Sequence, residues 1–119
     1  MQKVLIVDDI VGIRILIKEV LQADGYVVEE AATGSQALQW ADMCDFDVVI
    51  LDLKLPDQSG IDVLKKMRDK GCTAGFIMIT AYEELNVLAE DLGLLASLSK
   101  PFDIHKVREI VSQFLVPDD

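Results

Sequence analysis

A chain of 119 residues, 51% hydrophobic and 27% charged, holds enough apolar material for one globular core and too little for two. Its 21 acidic against 11 basic residues give a formal net charge of −10, a field that repels a phosphate backbone and argues against nucleic-acid binding by this chain alone. Apolar runs such as Val48 to Leu51 fall far short of the roughly 20 residues of a membrane span, and Cys44 and Cys72 lack any metal or disulfide spacing, so a soluble, cytoplasmic, reduced protein is expected.

Lys3 to Val7 is apolar and β-branched with no polar alternation, which suits a strand covered on both faces; it ends in Asp8-Asp9. From Ile10 to about Asp24 the period becomes helical, with Ile13, Leu16, Ile17, Val20 and Leu21 on one side, and Gly25 stops the helix. Tyr26 to Ala31 reads as a second strand, placed at an edge by Glu29 and Glu30. Thr33 and Gln36 resemble a capping box opening a helix to about Cys44. Phe46 to Leu51 is the third and most central strand, delivering Asp52.

Ser59 and Asp62 are placed to cap a third helix carrying Ile61, Leu64 and Met67, which stops at Gly71. Phe76 to Ile79 forms strand four, ending at Thr80; Leu85, Leu88 and Leu92 space a short helix halted at Gly93. Leu95 to Ser99 is a fifth strand ending in Lys100-Pro101, and a last helix from about Asp103 buries Ile104, Val107, Val111 and Phe114. Five strands alternating with five helices require crossovers, hence a parallel sheet covered on both faces in a single domain.

In such a sheet the ligand site lies at the carboxyl ends of the strands, so Asp8, Asp9, Asp52, Thr80 and Lys100 are expected to converge. Three carboxylates together repel one another and raise their own pKa values unless a cation joins them; hard oxygen ligands at this density suit Mg²⁺. Lys100 supplies a point charge for a phosphoryl oxygen and Thr80 a hydroxyl donor. An ionised Asp52 then attacks phosphorus without a separate base, while the phosphodonor comes from elsewhere, since no GxxxxGK[ST] loop is present. Each residue alone has a plainer use: Asp9 as a helix cap, Asp52 as a turn residue, Thr80 as an N-cap, Lys100 as a solvated charge, His105 as an exposed first-turn residue. The four strand ends together favour the chemical reading.

The segments Leu5 to Asp9, Val49 to Asp52 with Pro56 and Gly60-Ile61-Asp62, Ile79-Thr80-Ala81 and Ser99 to Phe102 resemble the receiver domains of two-component response regulators, along essentially the whole chain. The resemblance implies a flavodoxin-like (βα)₅ fold with strand order 2-1-3-4-5. It implies phosphorylation of Asp52 by a phosphohistidine of a sensor histidine kinase, and Mg²⁺ on Asp9, Asp52 and the Lys54 carbonyl, with Asp8 assisting through water. The bond before Pro101 is expected to be cis. Within the family, Gly12 to Leu16, Thr80 to Tyr82, Glu84-Leu85 and Lys100 to Ile104 are similar to single-domain intermediates of sporulation phosphorelays, which pass the group to a histidine phosphotransferase. That likeness implies a docking patch of Gly12, Ile13, Leu16, Pro101 and Phe102, and a free-standing monomer without an output domain.

Two departures stand out. Ser97 occupies a position where many receivers carry an aromatic or His, and Thr80 and Lys100 are 20 positions apart, about two fewer than is usual in the family. Lys54 and Tyr82 flank the expected path of an attacking water and imply a long-lived phosphoryl group. The alternative function is a receiver, free-standing or cut from a longer chain, whose phosphorylated face binds a protein target. An FMN carrier of the same fold is disfavoured by Asp8-Asp9, which repel the cofactor phosphate, and a D-x-D phosphatase by Ile10 and Lys54, which stand where its second acid belongs.

Overall fold

The unalternating apolar runs become strands whose two faces both meet helices. A computed structural model describes residues 2–42, 45–80 and 92–115. Strands β1 (Lys3–Val7), β2 (Val27–Ala31), β3 (Val48–Asp52), β4 (Gly75–Thr80) and β5 (Ala96–Ser99) form one parallel sheet in the order β2-β1-β3-β4-β5. Helices α1 (Val11–Ala23), α2 (Gly34–Ala41), α3 (Gly60–Asp69) and α4 (Ile104–Phe114) cover it. The expected helix containing Leu85 and Leu88 lies outside the described residues, as do Cys44 and Tyr82.

Strand periodicity sorts the core into two layers. Leu5, Val7, Val49, Leu51, Phe76 and Met78 pack with Ala37, Ala41, Val63, Leu64 and Met67 of α2 and α3. Val4, Ile6, Val48, Ile50, Ile77 and Ile79 pack with Ile17, Leu21, Val107 and Val111 of α1 and α4. All five β3 residues are buried, as its central place requires, and β2 with Glu29 and Glu30 is an edge.

Local chemistry sets the helix ends. Thr33 Oγ1 accepts from Gln36 N at 3.1 Å, while Gln36 Oε1 reaches back to Ala32 N at 2.7 Å, one residue before the N-cap. Ser59 Oγ accepts from Ile61 N at 3.1 Å to start α3. Gly25 and Gly71, at φ +95° and +91°, end α1 and α3 in a conformation that favours glycine. The expected burial of Phe114 is corrected: its ring is 44% exposed, and Leu115 is the buried residue at 5%. Val107, Val111 and Leu115 recur every four residues on the face toward the sheet, and Leu115 N still donates to the Val111 carbonyl at 2.8 Å, so Leu115 continues the buried stripe that Phe114 only borders. Asp9 does not cap α1, whose N-cap is Ile10 with no side-chain cap; His105 is exposed in the first turn of α4.

Candidate functional site

The sheet register brings the polar residues together. Val7 pairs with Leu51, so the next residues, Asp8 and Asp52, stand side by side where the two strands end. Asp52 in turn pairs with Ile79, and Thr80 with Ser99, which leads directly to Lys100. The Lys100 N–H donates to the Thr80 carbonyl at 2.6 Å, and the Lys100-Pro101 bond is cis. Periodicity of two continues Val4 and Ile6 into Asp8, and Val48 and Ile50 into Asp52, whereas Thr80 continues Phe76 and Met78 from the opposite layer. Asp8, Asp52 and Thr80 are 2%, 4% and 1% exposed; Asp9 is open to solvent.

The two buried carboxylates are held alike. Asp8 Oδ1 accepts from Ile10 N at 2.8 Å and Asp52 Oδ1 from Lys54 N at 3.2 Å, the local turn bond two residues onward that aspartate favours. This leaves each Oδ2 facing Lys100 Nζ, at 3.3 Å from Asp8 and 3.1 Å from Asp52. The turn-forming use of Asp52 and its place in the cluster are therefore compatible. Burial raises the Asp8 pKa and the Asp52 charge adds to that, against the Ile10 N–H and the Lys100 charge. For Lys100, burial works toward neutrality but is outweighed by the hydrogen bond to Asp52 and the charges of both acids, so its pKa rises and it stays protonated.

Carboxylate oxygens of Asp8, Asp9 and Asp52 lie within 4.8 Å of one another. Among the described residues no hydrogen bond reaches the buried Asp8 Oδ2, which faces the charge of Lys100 at 3.3 Å. Two buried acids, one open acid and an oxygen lacking a donor fit a hard divalent cation.

Residues 4–112 match the response regulator receiver domain family. Over 116 residues the chain is 43% identical to sporulation initiation phosphotransferase F of Bacillus subtilis, covering 96% of this chain and 94% of that protein. The chain belongs to the response regulator receiver family.

This receiver is also 31% identical to the chemotaxis protein CheY of B. subtilis, over 95% of this chain and 97% of that one. Among solved structures it superposes on the response regulator TrrA of Thermotoga maritima, in complex with Mg²⁺-BeF, with a TM-score of 0.84 at 34% identity, covering 97% of this chain and 100% of that chain. With the HemR receiver domain of Leptospira biflexa the TM-score is 0.88 at 29% identity, covering 100% and 98%.

The remaining site expectations fall beside the acids. Ile13, Leu16, Lys100, Pro101 and Phe102 line a groove of about 410 Å³ next to the receiver's acid cluster. Leu16 is 47% exposed and so belongs to the surface; Gly12 lies in the exposed first turn of α1, outside the groove lining. Arg14 joins the site from α1, a role that its helical spacing does not announce. Its Nη1 donates to the Asp8 carbonyl at 2.5 Å and its Nε to Glu30 Oε1 at 3.3 Å, bracing the end of β1 against β2. An arginine one turn into a helix that follows an acidic strand end was the available signal.

Proposed function

We propose that this receiver accepts a phosphoryl group on Asp52 from the phosphohistidine of a sensor histidine kinase and relays it to a histidine phosphotransferase, in a Mg²⁺-dependent reaction. The observation that carries the reading is the pair of buried acids, Asp8 and Asp52, with one lysine bridging their Oδ2 atoms beside the exposed Asp9. Asp9, Asp52 and the Lys54 carbonyl would hold the cation, with Asp8 assisting through water; bound there, Mg²⁺ offsets negative charge on the phosphoryl oxygens. An Asp52 carboxylate oxygen forms the new bond to phosphorus as the donor's nitrogen–phosphorus bond breaks, and the imidazole leaves with that electron pair. Lys100, kept charged by its surroundings, and the Thr80 hydroxyl bind the transferred oxygens.

Relay is supported by the apolar groove of Ile13, Leu16, Pro101 and Phe102 that opens beside the acids, with Gly12 at its margin. Such a groove suits the apolar flank of a partner helix carrying the reactive histidine. The likeness to a sporulation initiation phosphotransferase over nearly the full length of both chains supports the relay reading. Among the described residues no helix is long and apolar enough to cross a membrane.

With Mg²⁺ and acetyl phosphate the protein is expected to gain one phosphoryl group by intact mass, and Asp52→Asn to abolish the gain. The same mass increase in the variant sinks the assignment. Leu16→Ala or Phe102→Ala is expected to slow transfer to a cognate histidine phosphotransferase without slowing acetyl phosphate labelling; equal slowing of both refutes the docking role.

A further inference from the structure

Asp57 sits on the β3–α3 loop, three positions after Lys54, and its carboxylate points away from the acid cluster toward a different element. Asp57 Oδ1 accepts from Gly34 N at 2.8 Å, and Oδ2 from Ser35 N at 2.9 Å and Ser35 Oγ at 2.8 Å. With Thr33 Oγ1 on Gln36 N, this satisfies the first three N–H groups of α2, two of them from a loop 22 to 23 positions away in sequence. The negative carboxylate also lies at the positive end of the helix dipole. Next to it, Gln58 rests against Gly34 so closely that a Cβ there would meet the Gln58 side chain at 2.5 Å, and Lys66 Nζ of α3 holds Gln58 Oε1 at 3.0 Å.

The base of the loop is secured separately: Leu53 N donates to the Ile79 carbonyl at 2.9 Å, Gly60 N to the Leu53 carbonyl at 2.7 Å, and Lys54 bridges to Ser59. Between these points the tip is tied to α2 through Asp57. A helix N-terminus therefore serves as the anchor for the loop that carries the Lys54 carbonyl.

We infer that Asp57 is a positioning residue for the metal site: by bonding to the N-terminus of α2 it fixes the loop that presents the Lys54 carbonyl to the divalent cation. The inference rests on the Mg²⁺-dependent reading above. Asp57 is not one of the acids that converge on the site, so its effect passes through loop geometry and not through ligation of the metal.

The test compares two caps of the same helix. Thr33→Ala removes the α2 cap that has no link to the loop, and Asp57→Ala removes the cap that does. Mg²⁺ alone is titrated calorimetrically into each full-length protein, without phosphodonor, and thermal unfolding is followed in parallel. Both variants are expected to lower the unfolding midpoint. Asp57→Ala is expected to raise the Mg²⁺ dissociation constant more than about twofold, with Thr33→Ala close to the parent. Asp57→Asn, which keeps one carbonyl acceptor, is expected to fall between parent and Asp57→Ala. A rise above about twofold that is confined to the Asp57 variants supports the assignment. A smaller rise, or an equal rise in Thr33→Ala, overturns it. Failure of the parent to bind Mg²⁺ strikes at the proposed function instead.

Discussion

Replacing Gly60 by alanine tests how tightly the acid-bearing strand end is built. A Cβ at that position would lie 2.3 Å from the Asp52 carbonyl oxygen, 3.0 Å from Leu53 Cα and 3.1 Å from the Asp52 carbonyl carbon. Carbon and carbonyl oxygen ordinarily approach no closer than about 3.3 Å, so the two backbones must part by about 1 Å. Neither side yields easily: Leu53 N is bonded to Ile79 and Gly60 N to the Leu53 carbonyl at 2.7 Å. Overpacking costs about 1–3 kcal/mol and weakening that last hydrogen bond about 1 kcal/mol, while the better helix propensity of alanine returns up to about 1 kcal/mol. The expected net loss is about 1–4 kcal/mol, or about 10 °C in midpoint at the middle of that range for a domain of this size. Urea unfolding measures the loss, and acetyl phosphate labelling measures whether Asp52 has moved. Gly12→Ala is the control, since nothing lies within 4 Å of its Cβ position, and its stability is expected to stay level or rise. A Gly60→Ala protein within about 0.5 kcal/mol of the parent would refute the steric argument.

Lys100→Met in metal-free buffer leaves Asp8 and Asp52 facing each other without their shared cation; a loss of about 3 kcal/mol at neutral pH is expected by urea unfolding, much of it recovered by adding Asp52→Asn. The Asp57 carboxyl is held well below the usual range by the Gly34 N–H and then the Ser35 hydroxyl, so its stabilisation is present above about pH 4 and is lost as pH falls through its lowered folded pKa. Asp57→Ala should accordingly show a shallower loss of stability below pH 4, and an unchanged acid limb would contradict the assigned bonds. Asp8, with its raised pKa, has the opposite sign: folding is penalised at pH above its folded value and relieved as pH falls toward the ordinary value. At the end of α4, Leu115→Ala is expected to cost about 2–4 kcal/mol and Phe114→Ala about 1 kcal/mol, a difference that thermal unfolding resolves.

The strands and the acid cluster were legible in the sequence because each signal is local. An apolar run without alternation announces a doubly covered strand, and the residue that ends it becomes a residue of the carboxyl edge. Thr33, Ser59, Gly25 and Gly71 likewise act on neighbours within four positions. What escaped depends on geometry that the sequence does not carry. Asp57 carries no local signal because its partners are 22 and 23 positions back, on the N-terminus of another helix. Arg14 reads as a solvated face because a helical wheel does not show that the Asp8 carbonyl and Glu30 lie within its reach. Phe114 reads as buried because it and Leu115, three and four positions after Val111, both border the buried stripe, and spacing alone does not choose between them.

The strand order also sets a schedule of synthesis. β5 is the last strand in the chain and pairs with β4, so the cation shared by Asp8 and Asp52 is the last part of the cluster to leave the ribosome. A nascent chain reaching Thr80 already contains the acids, the hydroxyl and four of the five strands. It does not yet contain the lysine that faces those acids in the folded chain. The acids and the hydroxyl thus precede in the chain the lysine that faces them, and it is the docking of a four-residue edge strand that brings a positive charge to an acidic cleft.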